Sequence, residues 1–316
     1  MSFDGNLLHK LTIELQDKLT TGRINKIYQL SQYDLLLVIN SNRVKHKLLI
    51  SASPNYARIH LTDFDHERPD TPPTFCMFLR KHIDGGILKN IYQKNNDRVI
   101  VFELDTRNEL GDKLQKNLII EVTGRHANII VTDNEFKILE AMKHIMPFEN
   151  AERTIYPSAL YRFPDSNKID PFIIEDRNNA LDALEDITER SLLNTFMGFS
   201  PLITKEIMYR YRNGDNLKSI IDEILSESNP TIIDSDKEYF YYTDITSKEG
   251  PRKHYNTVNE LLDRHYLERD SIDNIRQRSK DILKFVKNQI DKQNHKIEKL
   301  SKELRATEKR DKFKIK

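Results

Sequence analysis

The apolar residues of the first 140 positions form one helical stripe followed by short runs separated by polar turns. The helical spacing begins after Asp4-Gly5 and ends before Gly22, which predicts an amphipathic helix capped by Asp4. Later runs rich in Leu, Val and Ile span residues 34–39, 47–51, 57–61, 99–104, 118–122 and 128–132. Because these runs are closely spaced and joined by polar turns, they predict antiparallel strands and an α+β fold.

Residues 73–104 predict a second, short helix followed by a hairpin. The end of this helix carries a basic cluster and two glycines: Arg80, Lys81, His82, Gly85 and Gly86. Two strand patterns follow, and the polar turn between them, residues 95–98, contains Asp97 and Arg98. We interpret this pair as an exposed recognition element. The alternative is an ion pair that closes the turn and stabilises the protein by only ~0 to 1 kcal/mol.

The second half of the chain predicts helices after a linker. Residues 152–172 contain three prolines and no sustained period, which predicts an exposed linker. Helical patterns then cover residues 175–193, 194–211 and 217–225. The turn at residues 197–201 resembles the hairpin of a helix-hairpin-helix, whose backbone amides can hold a phosphate, although Ser200 replaces the usual second glycine. A plain turn between two helices is the alternative.

A long helical pattern begins at Asn259, after aromatic strand patterns at residues 238–255. Its seam positions recur at spacings of three and four: Leu283, Val286, Ile290, Gln293, Ile297, Leu300 and Leu304. This heptad seam predicts a coiled coil, yet no partner helix of similar length follows before Lys316. We therefore expect the chain to be the amino-terminal part of a longer protein.

Composition and charge narrow the cellular setting and the partners. No run approaches the roughly 18 apolar residues of a membrane span, and the polar start lacks a signal-peptide pattern, so we expect a cytoplasmic protein with no membrane partner. The single Cys76 cannot build a disulfide framework, and we expect it to be buried. Residues 271–316 contain 15 Lys and Arg against 7 Asp and Glu, a net charge of +8, which leaves −7 for residues 1–270. Such a basic block indicates nucleic acid binding or a solvated coiled-coil face.

The usual catalytic motifs are missing from the sequence. It contains no P-loop, GxGxxG, GxSxG or HExxH pattern, so nucleotide hydrolysis, hydride transfer, triad hydrolysis and zinc proteolysis lack their usual residues. We therefore expect a protein that is not an enzyme and that needs no cofactor and no metal.

Three segments together resemble the amino-terminal module of the NFACT family: residues 3–5 (FDG), 73–104 and 121–133. The resemblance covers the whole chain. It implies an antiparallel-sheet NFACT-N domain with a glycosylase-like fold at residues 1–170 and an all-α helix-hairpin-helix domain at 171–232. A β connector at 233–258 and the first arm of a coiled coil at 259–316 would follow.

The same resemblance implies a role in ribosome quality control. Such a factor binds the large ribosomal subunit carrying peptidyl-tRNA, contacts ribosomal RNA, and recruits alanine tRNA for template-free carboxy-terminal tailing of the nascent chain. Asp4, Asp97 and Arg98 match the positions that the family ties to handling tRNA. An arginine can bind phosphate or a purine edge bidentately, and an aspartate can orient it.

Further RNA contacts are possible at two basic pairs. Arg125 and His126 lie in a predicted turn, where ordinary turn chemistry is the alternative. Arg80 and Lys81 end the second helix, where they could equally complement its dipole.

Two other functions compete with RNA binding. The family's older name implies a surface adhesin that binds fibronectin. The glycosylase-like fold implies a DNA-binding protein, but those enzymes attack with an amino-terminal proline and grip DNA with a four-cysteine zinc finger. This chain begins Ser2-Phe3-Asp4 and has one cysteine, so glycosylase chemistry is not expected.

Overall fold

The computed structural model describes residues 3–108, 110–148 and 153–314. The side chains of the last helix are described up to residue 267, at 279 and over 282–307. Two compact units are present, one ending at Asp263 and one beginning at Arg264.

A nine-stranded antiparallel sheet dominates the first unit, in the order β4-β3-β2-β1-β5-β6-β7-β8-β9. Its strands are β1 Arg23–Gln29, β2 Asp34–Ser41, β3 Val44–Ser51, β4 Arg58–Leu61, β5 Ile87–Gln93, β6 Val99–Arg107, β7 Lys113–Glu121, β8 Asn128–Asp133 and β9 Ile138–Ala141. All the predicted strand runs lie within or overlap these strands. The prediction of a mixed α/β fold with a large antiparallel sheet is therefore confirmed.

The sheet consists of two meanders that meet at one point. β1 and β5 pair around Arg23 and Ile87, at the start of each strand, and from there the two strands run in opposite directions. Gly22 is required at this junction because an added Cβ would lie 2.8 Å from both the Leu19 carbonyl oxygen and the Ile39 side chain. Because the junction lies at the first residue of β5, the hairpin that follows the last residue of β5 is remote from it.

Two helices pack against the sheet. Helix α1, Gly5–Leu19, buries all five leucines of the predicted apolar stripe and packs on β5 and β2, whereas Ile13, also part of that predicted stripe, is exposed. Helix α2, Thr74–Ile83, packs on β1, β6 and β9. Cys76 on α2 is buried, as the sequence predicted.

The segment predicted to be an exposed linker is partly a core element. Ile155 and Tyr161 are buried together with Val101 and Ile119 of the sheet, and Ile155 exchanges two backbone hydrogen bonds of 2.9 Å with Ile145. The prediction was wrong here because prolines interrupt any regular period while single apolar residues still cover the sheet. Only residues 164–168 form a fully exposed stretch.

Four short helices and a small sheet complete the first unit. They are α3 Ile174–Asp182, α4 Glu189–Thr195, α5 Pro201–Arg212, α6 Leu217–Ser226, β10 Thr231–Asp234, β11 Glu238–Tyr241 and β12 Arg252–His254. The continuous helix predicted for residues 175–193 is broken because Thr188 forms a capping box with Ser191 and starts α4. The next helix begins only at Pro201, since Gly198 adopts a left-handed backbone conformation with φ +78°.

The long helix α7, Val258–Lys314, begins in the first unit and continues through the second. Its first turn is held by Glu14 of α1, whose carboxylate accepts hydrogen bonds from the amides of Val258 (2.7 Å) and Asn259 (3.0 Å). In the second unit the apolar seam residues Leu283, Val286, Ile290, Ile297, Leu300 and Leu304 are exposed. No described helix is both long and apolar enough to cross a membrane.

Candidate nucleic-acid interface

Two loops that carry predicted site residues lie at the same end of the sheet. The hairpin between β5 and β6 turns through Asn95 (φ +48°) and Asn96 (φ +56°), and the Asp97 amide closes it on the Lys94 carbonyl at 2.8 Å. Two adjacent left-handed residues define a tight hairpin turn, and Asn tolerates this conformation. The loop after β7 joins this hairpin, because the Val122 amide donates to the Arg98 carbonyl at 2.8 Å.

The sequence predicted that Asp97 and Arg98 would be exposed, but in the structure both residues are partly buried. The Arg98 amide donates to the Asp97 carboxylate at 2.7 Å, so this carboxylate orders the backbone of its own turn. The negative charge of Asp97 also contributes to raised pKa values of Glu121 and Tyr161. The charge of Asp97 is therefore coupled to a group of titratable side chains at the end of β7.

Glu121 is the centre of that group, and the sequence did not assign it a role. It is 2% exposed, forms an ion pair with Arg153, and accepts a hydrogen bond of 2.6 Å from the Tyr161 hydroxyl. Burial raises the pKa of Glu121, while the Arg153 charge opposes that rise. A buried carboxylate is costly unless it is paired, so Arg153 and Tyr161 are needed to keep Glu121 at this site. An acidic residue directly after the apolar run of residues 118–120 is the signal that could have identified it.

Arg125 and His126 lie nearby in the loop after β7, on a short 3₁₀ helix, Gly124–His126. Both side chains are exposed, and Arg125 Nε lies 3.0 Å from His126 Nε2. Their loop is attached to Arg98 through Val122, so the structure brings these two predicted pairs to one end of the sheet.

Asp4 is near the same end but is buried, with 4% exposure. Its carboxylate accepts hydrogen bonds from the Leu7 amide (3.0 Å), the Ser200 hydroxyl (2.5 Å) and the Tyr241 hydroxyl (2.9 Å). Burial raises the pKa of Asp4 to about 6, even though these donors oppose the rise. Asp4 thus caps α1, as predicted, and also ties it to the α4–α5 turn and to β11.

Arg80 and Lys81 lie elsewhere. Arg80 Nε donates to the Ile27 carbonyl of β1 at 3.0 Å, and its guanidinium lies 5.8 Å from the centre of the Tyr28 ring. β1 runs away from the junction in the direction opposite to β5, so this contact is remote from the hairpin of Asp97. Lys81 is exposed on the same helix. The structure does not bring these two residues to the Asp97 and Arg98 site.

The turn predicted to resemble a helix-hairpin-helix uses Ser200 for a buried contact. Its hydroxyl donates to Asp4, and its own backbone has an ordinary φ of −118°, so no glycine is needed there. Among the described side chains, no three His, Cys, Asp or Glu residues converge in a way that could hold a metal ion.

Known proteins similar to this chain include relatives named as an Rqc2 homolog or a ribosome quality control complex subunit, and one named for fibronectin and fibrinogen. The chain is 36% identical to the Rqc2 homolog RqcH of Bacillus subtilis over 328 aligned residues, which cover all of this chain and 57% of that relative. It is 26% identical over 223 residues to the human ribosome quality control complex subunit NEMF, covering 69% of this chain and 19% of that protein. The chain therefore spans 57% of the length of its bacterial relative.

A solved structure shares the fold. The N-terminal part of the fibronectin/fibrinogen-binding protein from Streptococcus suis matches with a TM-score of 0.78 and 33% identity, covering 84% of this chain and 100% of that one. The family model described as NFACT N-terminal and middle domains matches residues 4–316, and the chain belongs to this family.

Proposed function

We propose that this chain is the tRNA-engaging part of a ribosome quality-control factor. The observation that carries the proposal is the position of Asp97 and Arg98, which share one end of the sheet with Arg125 and His126. The names of the bacterial and human relatives support the ribosomal setting.

The chemistry of this site suits RNA. Arg125 offers an exposed guanidinium that can bind a phosphate, and Arg98 follows a turn that Asp97 orders. Arg98 and Asp97 can also read base edges. The Arg98 guanidinium can donate to the acceptors of a base, and the Asp97 carboxylate can accept from base amines. Binding should weaken as salt rises, since phosphate contacts release counterions.

The wider role follows the resemblance to the family. The factor would bind the large ribosomal subunit with peptidyl-tRNA, contact ribosomal RNA, and recruit alanine tRNA for carboxy-terminal tailing. Residues 171–232 would act as a helix-hairpin-helix domain, and α7 would be the first arm of a coiled coil. The protein would not be an enzyme, because peptide-bond formation would belong to the ribosome while this chain selects and positions tRNA.

The first test measures binding of fluorescent alanine tRNA at two salt concentrations. We expect Asp97→Ala/Arg98→Ala to weaken binding by about 5- to 150-fold, the effect of losing a bidentate contact worth ~1 to 3 kcal/mol. The matched control is Asp105→Ala/Arg107→Ala, which removes the same charges from the other end of β6, where both side chains are exposed. A DNA duplex of similar charge serves as competitor.

The result is decisive if all three proteins melt at similar temperatures. Selective loss of tRNA binding in the Asp97 and Arg98 variant supports the proposal. Equal binding by the two variants would reduce the pair to a local turn-stabilising role, and tighter binding to the DNA duplex would favour a DNA-binding function.

Fibronectin binding is the second candidate function. The matching Streptococcus suis protein is named for fibronectin and fibrinogen, and its N-terminal part aligns over its whole length with this chain. Immobilised fibronectin should capture the wild-type chain if this function is real. Absence of binding at micromolar protein would remove it.

A further inference from the structure

The tip of the hairpin is unexpectedly buried. Asn95 and Asn96 are the two central residues of the turn. Asn95 is exposed, as expected at such a position, but Asn96 is only 3% exposed. The Asn96 side-chain amide donates to Asn6 Oδ1 at 2.7 Å and to the Met197 carbonyl at 2.9 Å. One side chain thus joins the hairpin to the start of α1 and to the α4–α5 turn, 90 and 101 residues away in sequence.

Two glycines leave the space that Asn96 fills. A Cβ added to Gly5 would lie 2.0 Å from the Asn96 carbonyl oxygen, and one added to Gly198 would lie 2.4 Å from its side-chain nitrogen. Neither distance is possible for a real side chain, so both positions need glycine for this contact. We call Asn96, Gly5, Asn6, Met197 and Gly198 the tip clasp.

A second side chain reinforces the tip clasp from the strand. Gln93 donates to the Gly5 carbonyl and to the Asp97 carbonyl, both at 2.8 Å. The Gln93 side chain therefore connects the Asp97 carbonyl, directly after Asn96, to the start of α1. Asp97 and Arg98 follow directly, so their orientation depends on where Asn96 is held.

We propose that Asn96 is a positioning residue that holds Asp97 and Arg98 in the geometry that binds tRNA, a role that rests on the tRNA binding proposed above. A hairpin tip fixed in this way does not lose further conformational freedom when RNA binds. Asn suits the position because it accepts a left-handed backbone and supplies the two donors that the clasp uses.

The test compares two glycine substitutions in the same turn. Asn96→Gly and Asn95→Gly both permit a positive φ, but only the first removes clasp contacts. We expect Asn96→Gly to weaken tRNA binding about tenfold, within the range for coupled neighbours, and Asn95→Gly to change it less than about twofold. Asn6→Ala removes only the Asn6 hydrogen bond of Asn96 and leaves the one to Met197 in place. It should weaken tRNA binding in the same direction as Asn96→Gly but by less, and it does so without changing the hairpin.

A positioning role makes a prediction that a merely structural role does not. In the Asp97→Ala/Arg98→Ala background, Asn96→Gly should cause no further loss of tRNA binding, because both groups that it positions are already absent. An equal tenfold loss in both backgrounds would overturn the inference.

Hydrogen exchange separates this inference from the proposed function. We expect faster exchange of the Asp97 amide in Asn96→Gly than in Asn95→Gly, and this measurement needs no RNA. Unchanged exchange would overturn the inference even if tRNA binds normally. Failure of the wild-type chain to bind tRNA would instead remove the proposed function and, with it, the role of Asn96 in RNA binding.

Discussion

Asp4 shows how a residue tied to function by resemblance acts inside the molecule. Its carboxylate is enclosed by Leu7, Ser200 and Tyr241, so it reaches the hairpin only through the elements that it joins. The sequence was sufficient to predict the N-cap, because the cap depends on neighbouring residues. It was not sufficient to predict the burial, because Ser200 and Tyr241 come from distant parts of the chain.

The buried carboxylate of Asp4 predicts a specific pH dependence of stability. Burial raises the pKa of Asp4 from 3.8 to about 6, so the folded state binds this proton more tightly than the unfolded state does. Protonation therefore stabilises the fold as pH falls from about 6 towards 4, by up to about 3 kcal/mol relative to pH 7. Measured by denaturant unfolding, wild type should gain stability relative to Asp4→Asn over that window. Parallel pH curves for the two proteins would contradict this assignment.

At the scale of elements, uninterrupted apolar runs predicted the strands correctly, whereas the helical pattern at 175–193 and the proline-rich segment were misjudged. The β2 and β8 runs have uniform apolar character, and their positions were predicted within about two residues. Ile155 and Tyr161 belong to the core, yet the prolines around them remove any period that a sequence could show. Asn96 was placed correctly in a turn, but its burial depends on Gly198, which lies in another element.

The start of α7 depends on a cap from α1. Glu14 accepts hydrogen bonds from two α7 amides and, at 2.6 Å, from the Asn259 side chain, and Asn259 in turn accepts from the Leu61 amide at 2.7 Å. Glu14→Gln keeps the shape but removes the charge, and should destabilise the protein by about 1 kcal/mol. Amide exchange at Val258 and Asn259 should also accelerate. Asp17→Asn, an equal charge change at an exposed position of α1, is the control, and equal effects of both variants would refute the cap.

At the scale of the whole molecule, charge and apolar surface are separated along the chain. Residues 271–316 carry a net charge of +8, whereas residues 1–270 carry −7. The described side chains of α7 between 282 and 307 are exposed, including both the apolar seam and the lysines beside it. A coiled-coil face would explain the seam, but the excess of lysine off the seam suits a phosphate-rich partner.

A ribosomal role for α7 predicts that its lysines matter for the ribosome and not for isolated tRNA. We expect Lys284→Gln/Lys292→Gln/Lys296→Gln to weaken binding to purified large ribosomal subunits. The slope of log affinity against log salt should fall by about one for each lysine that contacts a phosphate. Lys113→Gln/Lys237→Gln/Lys253→Gln removes the same charge from exposed positions of the first unit and should change neither quantity. If both triple variants lower the slope equally, binding to the ribosomal subunit depends on the total charge of the chain, and α7 makes no dedicated contact with it. If only the α7 variant does so while tRNA affinity stays constant, the chain has two RNA contacts, a basic arm for the subunit and the Asp97–Arg98 hairpin for tRNA.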